Sequence, residues 1–274
     1  MESAMRERES YGPASDRLAD LATGAEPDVL AGIGDQLLAV ADLLGREPGM
    51  RRALADVSRS TDDRVELLRG LLRGKVDDDT LALLDALVSG RWSRPSELRN
   101  AAERLGVETI LAAAERSDEL GDVEDELFRF AQVVDGSPRL ATVLGDPGAP
   151  VQSRAALVDD LLDGKARPTT VRLVKVALVG LGGRGFAASL TRLVELAAAA
   201  RDRQVAYVTS AVPLTDEEEE RLGAFLGQRY GRHISVKGTV DPEVIGGLSV
   251  QIGSDLYDGT VLRRIAEARA ALTR

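Results

Sequence analysis

The glycines of Gly180–Gly185 are spaced as in a nucleotide-binding loop, since G-x-G-x-x-G after an apolar stretch is typical of a dinucleotide-binding turn. Such a turn follows a strand, whereas Val171, Val174 and Leu178 share one helical face and predict a helix. The next predicted strand ends near Ser210–Val212 without the carboxylate that a ribose would need. We therefore expect no nucleotide site. The alternative is a nucleotide-dependent oxidoreductase that uses this loop, which the absence of a thermal shift on addition of NAD would exclude.

Three further groups of residues resemble chemical sites less closely. Gly70–Lys75 is too short for a phosphate loop and is followed by Val76, so it predicts a glycine-capped helix end. His233 is the only histidine in a chain without cysteine, which leaves no partner for a zinc site or a catalytic triad. Glu217–Glu220 are successive helical positions and cannot converge on one cation. The sequence therefore predicts no catalytic residue, no cofactor and no metal site.

Composition limits the partners as well. The chain has 274 residues, enough for two domains, and a net charge of -10, which disfavours nucleic acid and anionic lipid. The absence of cysteine is consistent with a reducing cytoplasm. The segment Met1–Ser10 lacks the apolar core of a signal peptide, and no stretch approaches the roughly 20 apolar residues of a spanning helix. We expect no nucleic-acid binding and no direct membrane insertion. Trp92, the only tryptophan, is typical of either a core or an interface anchor.

Helical periodicity dominates from about Asp16 to Asp202. In the segment that starts at Val123, apolar residues fall on one face, and Asp135–Pro138 predicts the end of that helix. Sliding the chain along itself by 90 positions gives at least thirteen identities over the 54 positions from Leu37 to Gly90, where chance would give about four or five. The shared turn residues at Pro48/Pro138 and Gly74/Gly164 favour a duplicated helical unit over a chance likeness of amphipathic helices.

After Asp202 the pattern changes to short β-branched segments. Strands are predicted at Gln204–Val212, around Ile234–Val240 and at Leu248–Ile252, with a capped helix from Thr215 to about Tyr230 and a last helix at Val261–Leu272. We therefore predict a mainly α fold with an internally duplicated helical unit, followed by a small α+β C-terminal domain. The expected boundaries are a helical region at 1–203, with copies at about 27–118 and 119–203, and an α+β domain at 204–274.

The stretch Asp241–Thr260 closely resembles the C-terminal signature of the delta subunit of F-type ATP synthase, called the oligomycin-sensitivity-conferring protein in mitochondria. It contains an acidic-Pro turn at Pro242, the Gly246-Gly247 pair, an alternating strand and Asp258-Gly259 before a terminal amphipathic helix that carries Arg263. Gly246 and Gly247 permit a tight reversal, and Asp258-Gly259 predicts a turn.

The resemblance extends upstream. Residues 120–272 look like most of an ordinary delta subunit, and Tyr11 and Ala14, with Leu18 and Leu21, resemble the first helix of the family. Relative to that form, about residues 27–118 are extra and are largely the first copy of the repeat. This longer architecture resembles the form found in actinobacteria.

The resemblance implies a non-catalytic stator subunit of the peripheral stalk. Its helical domain would bind N-terminal segments of the alpha subunits, and its C-terminal domain would bind the b subunit. It implies a peripheral location on the cytoplasmic face of the cell membrane, within a complex that couples hydrogen ion transport to ATP synthesis. The interface candidates that it suggests are Tyr11, Ala14, Leu18, Pro242, Gly246, Gly247, Asp258, Gly259 and Arg263. The alternative is a free-standing helical-repeat scaffold.

Overall fold

A computed structural model describes residues 2–202, 205–230, 234–241, 244, 246–252 and 255–258. Main-chain contacts divide the chain into two compact units, Met1–Ala197 and Ala198–Arg274. The first is helical and the second contains the described strands, so the predicted mainly α fold with a small α+β C-terminal domain is confirmed. The predicted boundary after residue 203 stays a prediction.

The helical unit begins with six helices that share one core. In chain order they are α1 (Glu2–Gly24), α2 (Pro27–Arg46), α3 (Pro48–Ala55), α4 (Thr61–Leu72), α5 (Asp78–Ser89) and α6 (Pro95–Arg116). Proline at the first turn of α2, α3 and α6 fits a position that needs no amide donor. Leu37, Leu54, Leu83 and Leu87 are fully buried at their centre. These helices therefore form a packed body around the first copy of the repeat.

Five more helices repeat this arrangement along the chain. They are α7 (Leu120–Asp135), α8 (Pro138–Gly145), α9 (Val151–Leu162), α10 (Pro168–Val179) and α11 (Phe186–Asp202). The bounds of α8, α9 and α10 equal those of α3, α4 and α5 shifted by 90 residues at both ends. The duplicated helical unit is thus confirmed at the level of its helices, whereas the outer limits of the copies stay predictions.

Buried arginines at equivalent positions make an equivalent contact in the two copies. Arg64 and Arg154 are 3% and 6% exposed. Nη1 of Arg64 donates to the carbonyl oxygens of Val88 and Gly90, at 2.7 and 2.9 Å. Nη1 of Arg154 makes the same type of bond, at 3.0 Å, to Leu178, the equivalent of Val88. Burial is the main cause that lowers the pKa of Arg64. Each arginine joins its own helix, α4 or α9, to the carboxyl end of the helix that follows, α5 or α10. It also donates to carbonyl oxygens that would otherwise be buried without a donor.

Helices α2 and α6 approach each other unusually closely. A Cβ added to Gly34 would lie 2.6 Å from Cγ1 of Ile110 and 3.0 Å from the carbonyl oxygen of Gly106. A Cβ added to Gly106 would lie 2.8 Å from Cγ of Leu38. Since glycine alone leaves room for this approach, the crossing of the two helices depends on the facing pair Gly34 and Gly106.

The second unit contains a four-stranded sheet with the order β2-β1-β3-β4. The strands are β1 (Val205–Ser210), β2 (Ser235–Val240), β3 (Leu248–Ile252) and β4 (Asp255–Asp258). β1 pairs in parallel with β2 and antiparallel with β3, and β3 pairs antiparallel with β4. The parallel pair follows from the crossover helix α12 (Asp216–Tyr230) between β1 and β2. The three predicted strands are confirmed, and β4 was not predicted.

One face of the sheet packs on α12. Ala206, Val208, Val250 and Ile252 alternate along the strands and are buried, together with Leu226 of the helix. The predicted last helix, Val261–Leu272, lies outside the described residues. The core of this unit is small, and its described buried apolar residues lie in the strands, in α12 and, in the case of Ile234, just before β2.

Candidate functional site

The glycine-rich loop does not have the geometry of a nucleotide site. Helix α10 precedes it, as predicted, and Gly180, Gly182 and Gly183 adopt positive φ. The amide of Gly182 donates to the carboxylate of Glu103 at 2.7 Å, and the amide of Leu181 donates to Oγ of Ser189 at 2.8 Å. A carboxylate therefore already occupies a position where a phosphate would have to bind.

The other sequence-level candidates have structural explanations. Helix α4 ends at Leu72, and Gly74 takes a φ of 74° after it, which confirms the glycine-capped helix end. The amide of Thr215 donates to Glu218, whose own amide donates back to the Thr215 hydroxyl, so the predicted capping box is confirmed. These bonds to Thr215 lower the pKa of Glu218. Within the described residues, no group of three or more His, Asp or Glu side chains is placed to hold a metal ion.

Tyr11, Ala14 and Leu18 lie in the core of the first copy instead of on its surface. Their exposed fractions are 5%, 0% and 6%. The Tyr11 hydroxyl donates to the carboxylate of Glu108 at 2.7 Å, and the guanidinium of Arg104 lies 4.2 Å from the centre of the tyrosine ring. Tyr11 therefore holds α1 against α6, and the part of all three residues in a partner interface stays a prediction.

The C-terminal candidates are only partly within the described residues. Gly246 and Gly247 are exposed and have φ of 65° and 86°, consistent with the predicted tight reversal before β3. Asp258 is the last residue of β4 and pairs with Ser249 of β3. The first residue of the turn predicted at Asp258-Gly259 therefore belongs to a strand. Pro242, Gly259 and Arg263, like His233, lie outside the described residues. No interface role of these residues is tested by the structure.

The second copy exposes apolar side chains that the first copy covers. Phe128 and Val133 of α7 are 51% and 57% exposed. Their equivalents in α2 are Leu38, which meets α6 at Gly106, and Leu43, which packs against the first core. Sequence reasoning missed this surface because it considered only the buried face of α7. The signal was available in the alignment of the two copies, since the apolar character is kept at both positions.

The α+β unit also exposes large apolar side chains. Val212 after β1, Phe225 on α12 and Val240 at the end of β2 are 67%, 60% and 47% exposed. Tyr207 of β1 points away from the face that carries Ala206 and Val208 and is 45% exposed. None of the described helices combines the length and hydropathy needed to cross a membrane. Exposed apolar residues that form a contiguous patch commonly mark contacts with other proteins.

Comparison with known proteins gives a consistent family. The model of the family described as ATP synthase delta (OSCP) subunit matches residues 107–272, more than half of the chain. A relative from Salinispora arenicola named ATP synthase subunit delta is 62% identical over 271 residues, covering 99% of both chains. Proteins of the same name from Frankia alni and Streptomyces griseus are 46% and 41% identical over 88% and 95% of this chain and 87% and 96% of their own. The chain belongs to the ATP synthase delta (OSCP) subunit family.

Proposed function

We propose that this chain is a non-catalytic stator subunit in the peripheral stalk of an F-type ATP synthase. The observation that carries the proposal is the family match over residues 107–272, which spans α7–α11 and the whole described α+β unit. Relatives that share nearly the full length, including the first copy, are named as delta subunits of ATP synthase. Family membership therefore supports a place in this complex, at the cytoplasmic face of the cell membrane as a peripheral component.

The helical unit is proposed to bind N-terminal segments of the alpha subunits of the catalytic head. Phe128 and Val133 support the second copy as the contact, because a partner's amphipathic helix could cover them as α6 covers Leu38 in the first copy. Because these side chains are already about half buried, covering the rest of each would contribute roughly 1 kcal/mol. Helix-in-groove binding would thus supply affinity without any catalytic group.

The α+β unit is proposed to bind the b subunit of the peripheral stalk. Val212 and Phe225 support this, since they are the most exposed large apolar residues described in that unit. A chain that binds the catalytic head through one unit and the peripheral stalk through the other would resist the torque of the rotor. Its work would be mechanical, holding the head still while proton flow drives ATP synthesis.

Binding of the full-length chain to each partner tests the proposal. We expect the Phe128→Asp/Val133→Asp variant to lose affinity for the soluble catalytic head and to keep affinity for the cytoplasmic part of the b subunit. The Phe225→Asp variant should do the reverse. The matched control is Val57→Asp, since Val57 is an equally exposed apolar residue of the first copy, at 62%. A chain that binds neither partner would instead support the free-standing scaffold.

A further inference from the structure

Five arginine side chains line one cleft of the helical unit. The cleft has a volume of about 270 Å³ and is formed by the α5–α6 loop, the start of α6, the α10–α11 loop and α11. Its arginines are Arg91, Arg94, Arg104, Arg184 and Arg192. In a chain with a net charge of -10, such a concentration of positive charge is a local feature that needs its own explanation.

Three of these arginines already pair with a carboxylate of their own helix or its N-terminal turn. These ion pairs are Arg94 with Glu97, Arg104 with Glu108 and Arg192 with Glu195, at 3.0, 3.0 and 2.7 Å. Arg91 and Arg184 are both exposed, and in the described part of the chain neither has a carboxylate within ion-pair distance. Two guanidinium groups, one from each copy's loop, therefore face the cleft without a carboxylate partner among the described side chains.

Several main-chain donors around the cleft are already used. The amides of Ser93 and Arg94 donate to the carboxylate of Glu97, at 2.9 and 3.3 Å. The amide of Gly182 donates to Glu103, as described above. A phosphate bound at a helix N-terminus or a glycine loop depends on such amides, so these three are not available to a phosphate. What remains are flexible guanidinium forks, which suit carboxylates well.

We propose that this cleft binds an acidic segment of a partner polypeptide, whose carboxylates pair with Arg91 and Arg184. The cleft is smaller than most small-molecule pockets, which span about 300–1,000 Å³, and this favours side chains that enter from an extended segment. Because the two arginines lie after α5 and after α10, one segment would contact both copies. The proposal adds a third contact to the two proposed above and does not depend on them.

The test uses a fluorescein-labelled oligoglutamate peptide and the full-length chain. Fluorescence anisotropy at low ionic strength should show binding, although the chain as a whole is acidic. The Arg91→Ala/Arg184→Ala variant should weaken binding about tenfold or more. The control Lys75→Ala/Arg139→Ala removes the same charge from exposed positions outside the cleft and should leave binding unchanged. Emission of Trp92, the only tryptophan and part of the cleft lining, should change on binding in the unaltered chain.

Every other outcome counts against the proposal. No binding, or an equal loss in both double variants, would show that the cleft does not select carboxylates. Displacement of the peptide by inorganic phosphate or pyrophosphate at equal or lower concentration would assign the cleft to a phosphate instead. Circular dichroism of the variants verifies that exposed substitutions leave the fold intact. Failure here with normal binding to the catalytic head would leave the stator proposal standing.

Discussion

Replacing Gly34 by alanine should destabilise the helical unit, whereas the same change at Gly32, two residues earlier in α2, should stabilise it. Both glycines lie inside one helix, so each replacement gains the same helix propensity, about 0.8–1 kcal/mol. A Cβ at Gly32 meets nothing within 4 Å. The two positions therefore separate the propensity of alanine from the packing of α2 on α6.

The magnitude at Gly34 follows from the atoms that the new Cβ would meet. It would lie 2.6 Å from Cγ1 of Ile110 and 3.0 Å from the main-chain oxygen of Gly106, which cannot move without shifting α6. Overpacking of this kind costs typically about 1–3 kcal/mol, against a gain in propensity of about 0.8–1 kcal/mol. We expect a net loss of up to about 2 kcal/mol for Gly34→Ala and a gain of up to about 1 kcal/mol for Gly32→Ala.

Thermal unfolding with Trp92 emission as the probe measures both changes. Trp92 belongs to the same core as the buried residues of α2, so its emission reports on the affected region. In a unit of nearly 200 residues, each kcal/mol shifts the Tm by about 2–4 °C. The two variants should therefore melt on opposite sides of the unaltered chain. Equal Tm values for Gly34→Ala and Gly32→Ala would refute the close packing of α2 on α6.

Three further predictions concern side-chain hydrogen bonds. Arg154→Ala leaves two buried main-chain carbonyls without a donor and should cost roughly 2–5 kcal/mol in urea unfolding, whereas Arg129→Ala, 75% exposed, should cost less than about 0.5 kcal/mol. Tyr11→Phe removes the bond to the buried carboxylate of Glu108 and should cost about 1.5–3 kcal/mol; an unchanged melting curve would contradict this. The pKa of Glu218 is lowered in the folded state, so its ionised carboxylate contributes to the stability of the fold. That contribution is complete above the unfolded pKa of about 4.3 and is lost as the pH falls through the folded pKa. Glu218→Gln should therefore lower the urea midpoint at neutral pH and leave it unchanged at a pH below both values.

The repeat was the part of the fold that the sequence predicted best. Pro48/Pro138 and Gly74/Gly164 are turn residues, and the conformation of a turn depends mainly on the residues within it. Their 90-residue spacing therefore predicted the spacing of the helix ends. The alternation in Leu248–Ile252 predicted β3 for the same reason. Strand β4 was missed because its four residues are too few to show a period, and because its last residue, Asp258, is the first of an Asp-Gly pair that indicates a turn.

Long-range contacts account for what the sequence could not predict. Tyr11 matched a family motif, yet its burial depends on Glu108, which lies 97 residues away. Arg91 and Arg184 lie in different copies and share a cleft only after both copies have folded. Spacing along the chain does not reveal such long-range contacts, since each of the two arginines alone is typical of an exposed loop. Partner surfaces are also formed by residues that are distant in sequence. The motif of the first helix therefore suggested Tyr11, Ala14 and Leu18 as interface candidates, although they lie in the core.

Calorimetric titration of the full-length chain with the soluble catalytic head, and separately with the cytoplasmic part of the b subunit, tests the central claim most directly. The stator account predicts saturable binding to both partners, with both bound at once when they are mixed. Binding to only one partner would remove the linking role. Binding to neither would contradict the account.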